Sequence, residues 1–485
     1  MRDRFNKFLD SPRHIPLLAG FISGLYPFLF FYSNNYTSVN SWQHAGFFFI
    51  CYVVTAMAAV GMAFVLFSTI EKLKPYKAHL LFVLPVMVMA SMLSYAMFFT
   101  FKKKVLLALL IILVFLSLKL HKHYKRLLAL IVFMALMPLF KVAVHIYEDV
   151  RPMRWAELPD DIVKAKFRHR PNIYMIQPDG YAGKSIMEKP PYSYTNDFYG
   201  WLENNGFKVY EDFRSNYPAS LTSNASMFAM KHHYFDAVMF PAIEMPRARK
   251  VILDNSAVKI FKNNGYTTYF LAEDEYFQQN LSDGIYDYYN IKKTDIPLST
   301  NGGKLEREVF GDLEFAVNEE ISRPKFVFVE KVLPHHIHFD GTGIEAERKE
   351  YLEKTQEANN WLKKAIALIE SKDKNAVIII LSDHGGWVGT KDITEFHTTD
   401  RQELIRSAFG NMAAIRWNGV THDVYDLRLR SSVNVFRVLF SALSENTSYL
   451  EHLEKDESYN IHWGSFNNSV HKVIDANGKV VREKH

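Results

Sequence analysis

The chain has 485 residues, with 57 lysines and arginines against 52 aspartates and glutamates, so it exceeds one ordinary domain and its mild net charge of +5 gives no reason to expect nucleic acid as a partner. The single cysteine, Cys51, excludes an intrachain disulfide and a thiolate metal cluster. The hydrophobic content of 48% averages two unlike parts, because the apolar residues concentrate in the first 145 positions.

A helix that crosses a bilayer needs ~20 mainly apolar residues. Ile15–Tyr32, Ala45–Phe67 and Leu80–Phe99 meet that need, Val105–Leu118 is shorter, and Leu127–Val144 carries Lys141 near its end. These segments predict a membrane domain over 1–145 with about five transmembrane helices. A cleaved signal peptide would account for the first segment alone. The loops set the orientation. Arg2, Arg4, Lys7 and Arg13 precede the first span, Lys72, Lys74 and Lys77 follow the second, and Lys119, Lys122, Lys125 and Arg126 follow the fourth. The loop "SNNYTSVNSWQH" carries no lysine or arginine. All four observations predict a cytoplasmic N-terminus, whereas Lys102–Lys104 run against it. Five crossings then place the rest of the chain outside the cytoplasm. Few ionisable residues lie inside the spans, which argues against a transporter.

The charged, proline-containing stretch over 146–170 reads as a juxtamembrane linker. From Pro171 short apolar runs alternate with amphipathic ones. "NIYMIQ" (172–177), "TTYFLA" (267–272), "KFVFVEKVL" (325–333), "AVIIILS" (376–382) and "MAAIRW" (412–417) predict strands. Residues 196–206, ending at Gly206, and 346–371 predict helices. The pattern is that of an α/β domain with a largely parallel sheet over 171–445, followed by an extension over 446–485 packing on it. Ligand sites in such sheets lie at the carboxyl ends of the strands.

Asp179 follows the first predicted strand, and Asp383 and His384 follow the fourth. Two carboxylates and an imidazole suit zinc or manganese, and an oxygen-rich shell also tolerates magnesium or calcium. Gly385 and Gly386 are placed to let the backbone pass close to a ligand. "LPHHIHF" sets His335, His336 and His338 just past the third strand, and His397 lies thirteen residues beyond His384. If the strand continued, His336 and His338 would share one side and His335 the other. In "NYPASLTSNASMF", Ser220, Thr222, Ser223 and Ser226 are all candidate nucleophiles at a helix start, where backbone N–H groups would face an attacked phosphate. Either Ser220 or Ser223 could instead be an ordinary helix cap.

Taken in order, "PDGYA", "FYGWLENNGF", "RSNYPASLTSNASMFAM", "LPHHIHFDG", "LSDHGG" and "SSVNVFRVLF" resemble the alkaline phosphatase and sulfatase superfamily over roughly residues 170 to 445. The resemblance is to its membrane-anchored branch, which includes lipoteichoic acid synthases and lipid A phosphoethanolamine transferases, and to a group of bacterial membrane sulfatase-like proteins. It implies an alkaline phosphatase-like fold with Asp179, Ser220, Asp383 and His384 around one divalent metal. It further implies His335 near the substrate phosphate, with His338 as runner-up, and His397 as a substrate or second-metal residue. The sulfatase frame has a serine three and an alanine five residues after the nucleophile, and it selects Ser220, with Ser223 and Ala225 following. The lipoteichoic acid synthase frame would select Ser223. Thr222 and Asn224 stand where sulfatases carry the proline and arginine needed to form formylglycine, so phosphoester chemistry is expected over sulfate ester hydrolysis. The expected activity is a metal-dependent phosphotransferase or phosphodiesterase with a phospho-serine intermediate. Its expected partners are a phosphodiester or phospholipid-like substrate and membrane lipids. The competing reading is a sulfatase-like ectodomain that binds or scaffolds without catalysis.

Overall fold

The computed structural model describes residues 2–233, 245–299, 305–462 and 469–484. The chain divides into two compact units, Met1–Arg151 and Pro152–His485. Four helical runs that begin in the first are long and apolar enough to cross a membrane: Pro16–Asn34, Trp42–Thr69, Glu71–Phe98 and Lys103–Ala156. The fourth is 54 residues long, about 80 Å at the α-helical rise, against a hydrocarbon core of about 30 Å. It is broken by a tight turn, His121–His123, into the helices Lys103–Leu120 and Tyr124–Val150.

Side-chain contacts fix the directions of these helices. Phe48 of the second run packs on Phe31 near the end of the first, and Phe64 packs on His14 just before its start. His79, at the start of the helix Lys77–Phe98, stacks on His121, just past the end of Lys103–Leu120, at 3.9 Å between centroids. Lys125 donates to the carbonyl of Ser11 at 2.7 Å, and Lys141 donates to Asn34 at 2.9 Å. The last helix therefore runs alongside Pro16–Asn34 in the same direction, and successive helices alternate. Residue 150 ends at the face of this bundle opposite the N-terminus.

The second unit is built on a seven-stranded sheet. In chain order its strands are β1 (Ile173–Pro178), β2 (Lys208–Val209), β3 (Thr267–Leu271), β4 (Tyr288–Tyr289), β5 (Lys325–Lys331), β6 (Val377–Leu381) and β7 (Ala413–Arg416). They lie in the order β2-β7-β6-β1-β5-β3-β4. β6, β1, β5, β3 and β4 are mutually parallel, and β7 pairs antiparallel with both β6 and β2. The five expected strands are all present, each within two residues of its predicted limits. β1, β5 and β6 are buried at every position, as strands covered on both faces must be.

Alternation sends Ile173, Met175, Phe326, Phe328, Val377, Ile379 and Leu381 to one face, against the helices Ser220–Ala229, Ser256–Asn263 and Val435–Ser444. Tyr174, Ile176, Val327, Val329, Ile378 and Ile380 go to the other, against Phe198–Asn204, Val309–Asn318 and Ile344–Lys372. The result is a helix–sheet–helix sandwich with a core on each face.

The stretch over 146–170, read from sequence as a linker, divides. Residues up to Val150 continue the last apolar helix. Ile162, Ala165 and Phe167 are buried in the core of the second unit, and Asp160 forms an ion pair with Arg437. Past residue 446 the chain forms an antiparallel sheet of β8 (Ser458–His462), β9 (Ser469–Ile474) and β10 (Val480–Lys484). Its first strand is bonded to the segment that leads into the helix Ser220–Ala229: Tyr459 N–H donates to the Asn216 carbonyl, and Asn216 donates back to the Glu457 carbonyl, both at 2.9 Å.

Candidate active site

Strand alternation carries two carboxylates onto one face. Asp179 continues the row Ile173, Met175, Gln177 of β1, and Asp383 continues the row Val377, Ile379, Leu381 of β6. The helix Ser220–Ala229 covers that face. Phe228 packs on Phe328 with ring centroids 5.2 Å apart, and Asn224 exchanges two amide hydrogen bonds with Gln177 at 2.8 and 2.9 Å. This docking sets the helix N-terminus over the ends of β1 and β6. Asn224, standing where the sulfatase frame carries an arginine, is thereby occupied in holding the helix on the sheet.

Asp179, Asp383 and His384 come together, with one ligand atom from each within 4.8 Å of the others, all three buried. His384 Nε2 lies 3.5 Å from Asp179 Oδ1, 3.4 Å from Asp383 Oδ2 and 3.3 Å from Ser220 Oγ. His384 Nδ1 donates to the Gly385 carbonyl at 2.8 Å, which leaves the Nε2 lone pair facing the carboxylates. Asp383 Oδ1 accepts from the N–H groups of Gly180 and His384, at 3.1 and 2.9 Å, while Asp179 Oδ1 is buried with no hydrogen-bond partner. A buried, unpartnered carboxylate oxygen beside a second carboxylate and an imidazole lone pair fits a divalent cation. Without the cation, burial and then Asp179 push the Asp383 carboxyl above its ordinary range, though His384 opposes the rise. Burial works against charge on His384, but Asp383 and Asp179 outweigh it and hold the imidazole above the usual histidine value.

Ser220 is the first residue of its helix and lines a cavity of about 300 Å³ together with Asp179, His335, His336 and His384. The residue before it, Ala219, occupies the cap position and makes no side-chain cap bond, so neither Ser220 nor Ser223 is the cap. Ser223 is turned away from the cavity. Its hydroxyl donates to the Asp383 carbonyl at 2.6 Å, which steadies the turn after β6. The expectation that Ser223 touches substrate is corrected accordingly.

Continued alternation past the third predicted strand does not hold either. β5 ends at Lys331, and His335 sits at φ 66°. Both His335 and His336 consequently face the cavity, while His338 stays exposed, stacked on His335 at 5.0 Å and 4.0 Å from Glu350. His335 Nε2 is 3.7 Å from Asp179 Oδ2. Burial, reinforced by His335 and His384, pushes the His336 imidazole down to about 3, so it is neutral. His397 belongs to the helix Ile393–Thr398, and its side chain lies outside the described residues. Gly385 and Gly386 approach protein: a Cβ on the first would stand 2.1 Å from the Ser407 carbonyl oxygen, and on the second 2.3 Å from the Tyr351 ring.

Gly180, at φ 65°, is pressed so closely against the histidine segment that a Cβ there would come within 2.7 Å of His336 N. Gly180→Ala is expected to cost about 1–3 kcal/mol in stability and to weaken metal affinity by disturbing the bond from Gly180 N–H to Asp383 Oδ1. Thermal unfolding and metal titration of the variant check this, and a metal affinity equal to the parent's would show the close approach to be irrelevant to the site.

Two acidic groups at this cavity carry no sequence motif. Glu330 lies on β5 in register with Gln177, and Asp274 follows β3. Both line the cavity. Burial raises the Glu330 carboxyl far above its normal range, with Asp274, Asp179 and Asp383 adding to the shift, and its Oε2 has no partner. The available signal was a glutamate at the carboxyl end of an otherwise apolar strand, on the same face as Phe326 and Phe328.

Among solved structures, the chain resembles the integral membrane lipooligosaccharide phosphoethanolamine transferase A of Neisseria meningitidis at 12% identity and TM-score 0.43, covering 89% of this chain and 96% of that one. It resembles the zinc complex of the periplasmic domain of the Escherichia coli protein EptC at 12% identity and TM-score 0.40, covering 66% and 97%. A Bacteroides thetaiotaomicron protein from glycosaminoglycan metabolism aligns at 12% identity and TM-score 0.42, covering 64% and 88%. A comparison with curated proteins gives no match. The family model for sulfatases matches residues 195–444, a stretch that contains Ser220, His335, Asp383 and His384 and follows Asp179. That match spans just over half of the 485 residues, and the chain belongs to the sulfatase family.

Proposed function

We propose that the protein is a membrane-bound, metal-dependent phosphotransferase or phosphodiesterase that acts on a phosphodiester outside the cytoplasm through a phospho-Ser220 intermediate. The observation that carries this reading is the placement of Ser220 Oγ, at a helix N-terminus, 3.3 Å from His384 Nε2 beside Asp179 and Asp383. Asp179, Asp383, His384 and Ser220 would hold one divalent cation, zinc or manganese by donor type. When bound, the cation lowers the pKa of the serine hydroxyl and neutralises charge on the phosphoryl oxygens. Ser220 Oγ then forms a bond to phosphorus as the bond to the leaving alcohol breaks. The free N–H groups of the first helical turn stabilise the phosphoryl oxygens. His335 Nδ1 donates to the His336 carbonyl at 2.8 Å, which leaves the Nε2 lone pair at the cavity to take the proton that Ser220 Oγ loses and pass it to the leaving oxygen. Attack by a second hydroxyl, or by water, releases the group from Ser220.

Phosphoester chemistry is preferred because Thr222 and Asn224 occupy the positions that sulfatases need for formylglycine. Thr222 Oγ1 donates to the Ala219 carbonyl at 2.9 Å. The alternating helices of Met1–Arg151 suit five crossings with the N-terminus in the cytoplasm, so that the chain after residue 150 emerges on the other side, where a lipid-linked donor or acceptor would be at hand.

Chelation of the full-length protein is expected to abolish hydrolysis of an aryl phosphodiester, and one equivalent of zinc or manganese to restore it. Turnover of an aryl sulfate with none of the phosphodiester would refute the substrate class. A protein that retains no zinc, manganese, magnesium or calcium would favour the non-catalytic, scaffolding reading instead.

A further inference from the structure

A second cavity, of about 260 Å³, opens between the segment that leads to the Ser220 helix and the β9–β10 hairpin. Its volume falls just below the usual small-molecule range of ~300–1,000 Å³. Four cationic side chains line it, Lys189, Arg214, Arg406 and Arg430, against one acid, Asp212. Among the described residues none of these four cations has a carboxylate within 4.0 Å. The other acids nearby are already engaged. Asp456 Oδ1 accepts from Ser431 at 2.6 Å, and Asp475 Oδ1 accepts from the N–H groups of Asn477 and Lys479, each at 2.9 Å.

The central cation is fixed in place. Arg214 is 7% exposed. Its Nε and Nη2 donate to the carbonyl of Asp456, and Nη2 reaches that of Ala476 at 3.1 Å. Nη1 has no hydrogen-bond partner among the described residues and lies along the cavity wall. Gly478, at φ 81°, leaves room there, since a Cβ on it would stand 3.5 Å from Nη1. Arg406 Nη2 donates to the Gly478 carbonyl at 3.1 Å, which directs the rest of its guanidinium along the same wall. Burial lowers the Arg214 pKa, Arg430 and Arg406 lower it further, and Asp456 and Asp475 oppose the fall, so the charges of Arg430 and Arg406 are felt at Arg214. Guanidinium groups that line one cleft with no carboxylate in contact match the oxygens of a phosphate in paired hydrogen bonds.

We propose that this cleft is a binding site for a phosphate group, carried by a soluble phosphate ester or by an anionic lipid head group, and separate from the cavity at Ser220. The site does not depend on the catalytic reading. Arg214 lies six residues before Ser220, and Gly410, on the cleft wall, accepts from Gly183 N–H at 3.1 Å. Occupancy would therefore brace the two segments that run to Ser220 and Asp179.

The test is calorimetric titration of inorganic pyrophosphate into the full-length protein in neutral detergent after EDTA treatment, which empties the metal-dependent cavity. One saturable site is expected. Arg406→Gln combined with Arg430→Gln, both exposed positions, should weaken it at least tenfold, and Ser220→Ala should leave it unchanged. Competition by nanodiscs containing phosphatidylglycerol, against phosphatidylcholine alone, assigns the ligand to a lipid head group, and its absence assigns it to a soluble ester. No saturable binding, or an affinity in the double variant within twofold of the parent, would overturn the proposal.

Discussion

Ser220→Ala is expected to lower kcat on a phosphodiester reporter by roughly 10⁴-fold or more, the scale on which loss of a nucleophile acts, while the bound metal is retained. Retention is expected because Asp179, Asp383 and His384 still surround the cation when the hydroxyl is gone. Ser223→Ala should be much milder. It removes one hydrogen bond to the Asp383 carbonyl, worth about 0.5–1.5 kcal/mol. Steady-state kinetics with metal analysis on both variants separates the roles. Full activity in Ser220→Ala with loss in Ser223→Ala would move the nucleophile three residues along the helix and restore the lipoteichoic acid synthase frame.

The second large effect concerns stability. Arg437 stands on a core helix with its side chain 1% exposed, paired with Asp160 at 2.6 and 3.2 Å and donating to the Tyr449 carbonyl at 3.2 Å. Asp160→Ala strands a guanidinium in the core, at a cost of about 3–5 kcal/mol, which corresponds to a fall in Tm of about 4–7 °C for a unit of this size. Asp160→Ala combined with Arg437→Met removes both charges and should recover most of the loss, because apolar replacement of a buried pair is often neutral. Thermal unfolding of the full-length variants measures both. A double variant no more stable than Asp160→Ala would show that packing, rather than the stranded charge, sets the cost.

The strands that position the site were legible for a physical reason. β1, β5 and β6 are covered on both faces, so their sequences are continuous apolar runs, and the polar residues that follow stand at the strand ends. Asp179, Asp383 and His384 could be read from that break in polarity, and the frame around Ser220 added a fourth member. β2 and β4 were not legible, because two residues each carry no periodicity. The polar "SYNIH" of β8 gave no strand signal, since it is held by hydrogen bonds to Asn216 and Ser215 as well as by packing. The histidines defeated alternation because the chain leaves β5 at Lys331 and turns through a positive φ at His335. Asp160 was read as linker because a short charged segment shows nothing of the arginine it meets 277 positions later.

The bonds between β8 and the segment before Ser220 also have a consequence for timing. Ser215, Asn216 and Tyr217 are clasped by Glu457, Ser458 and Tyr459, with bonds that span 241 and 243 positions. The approach to the serine therefore takes its shape only when a stretch more than 200 positions later folds back over it. Contacts of such long sequence separation form slowly, so the turn that presents Ser220 is expected to be set late in folding.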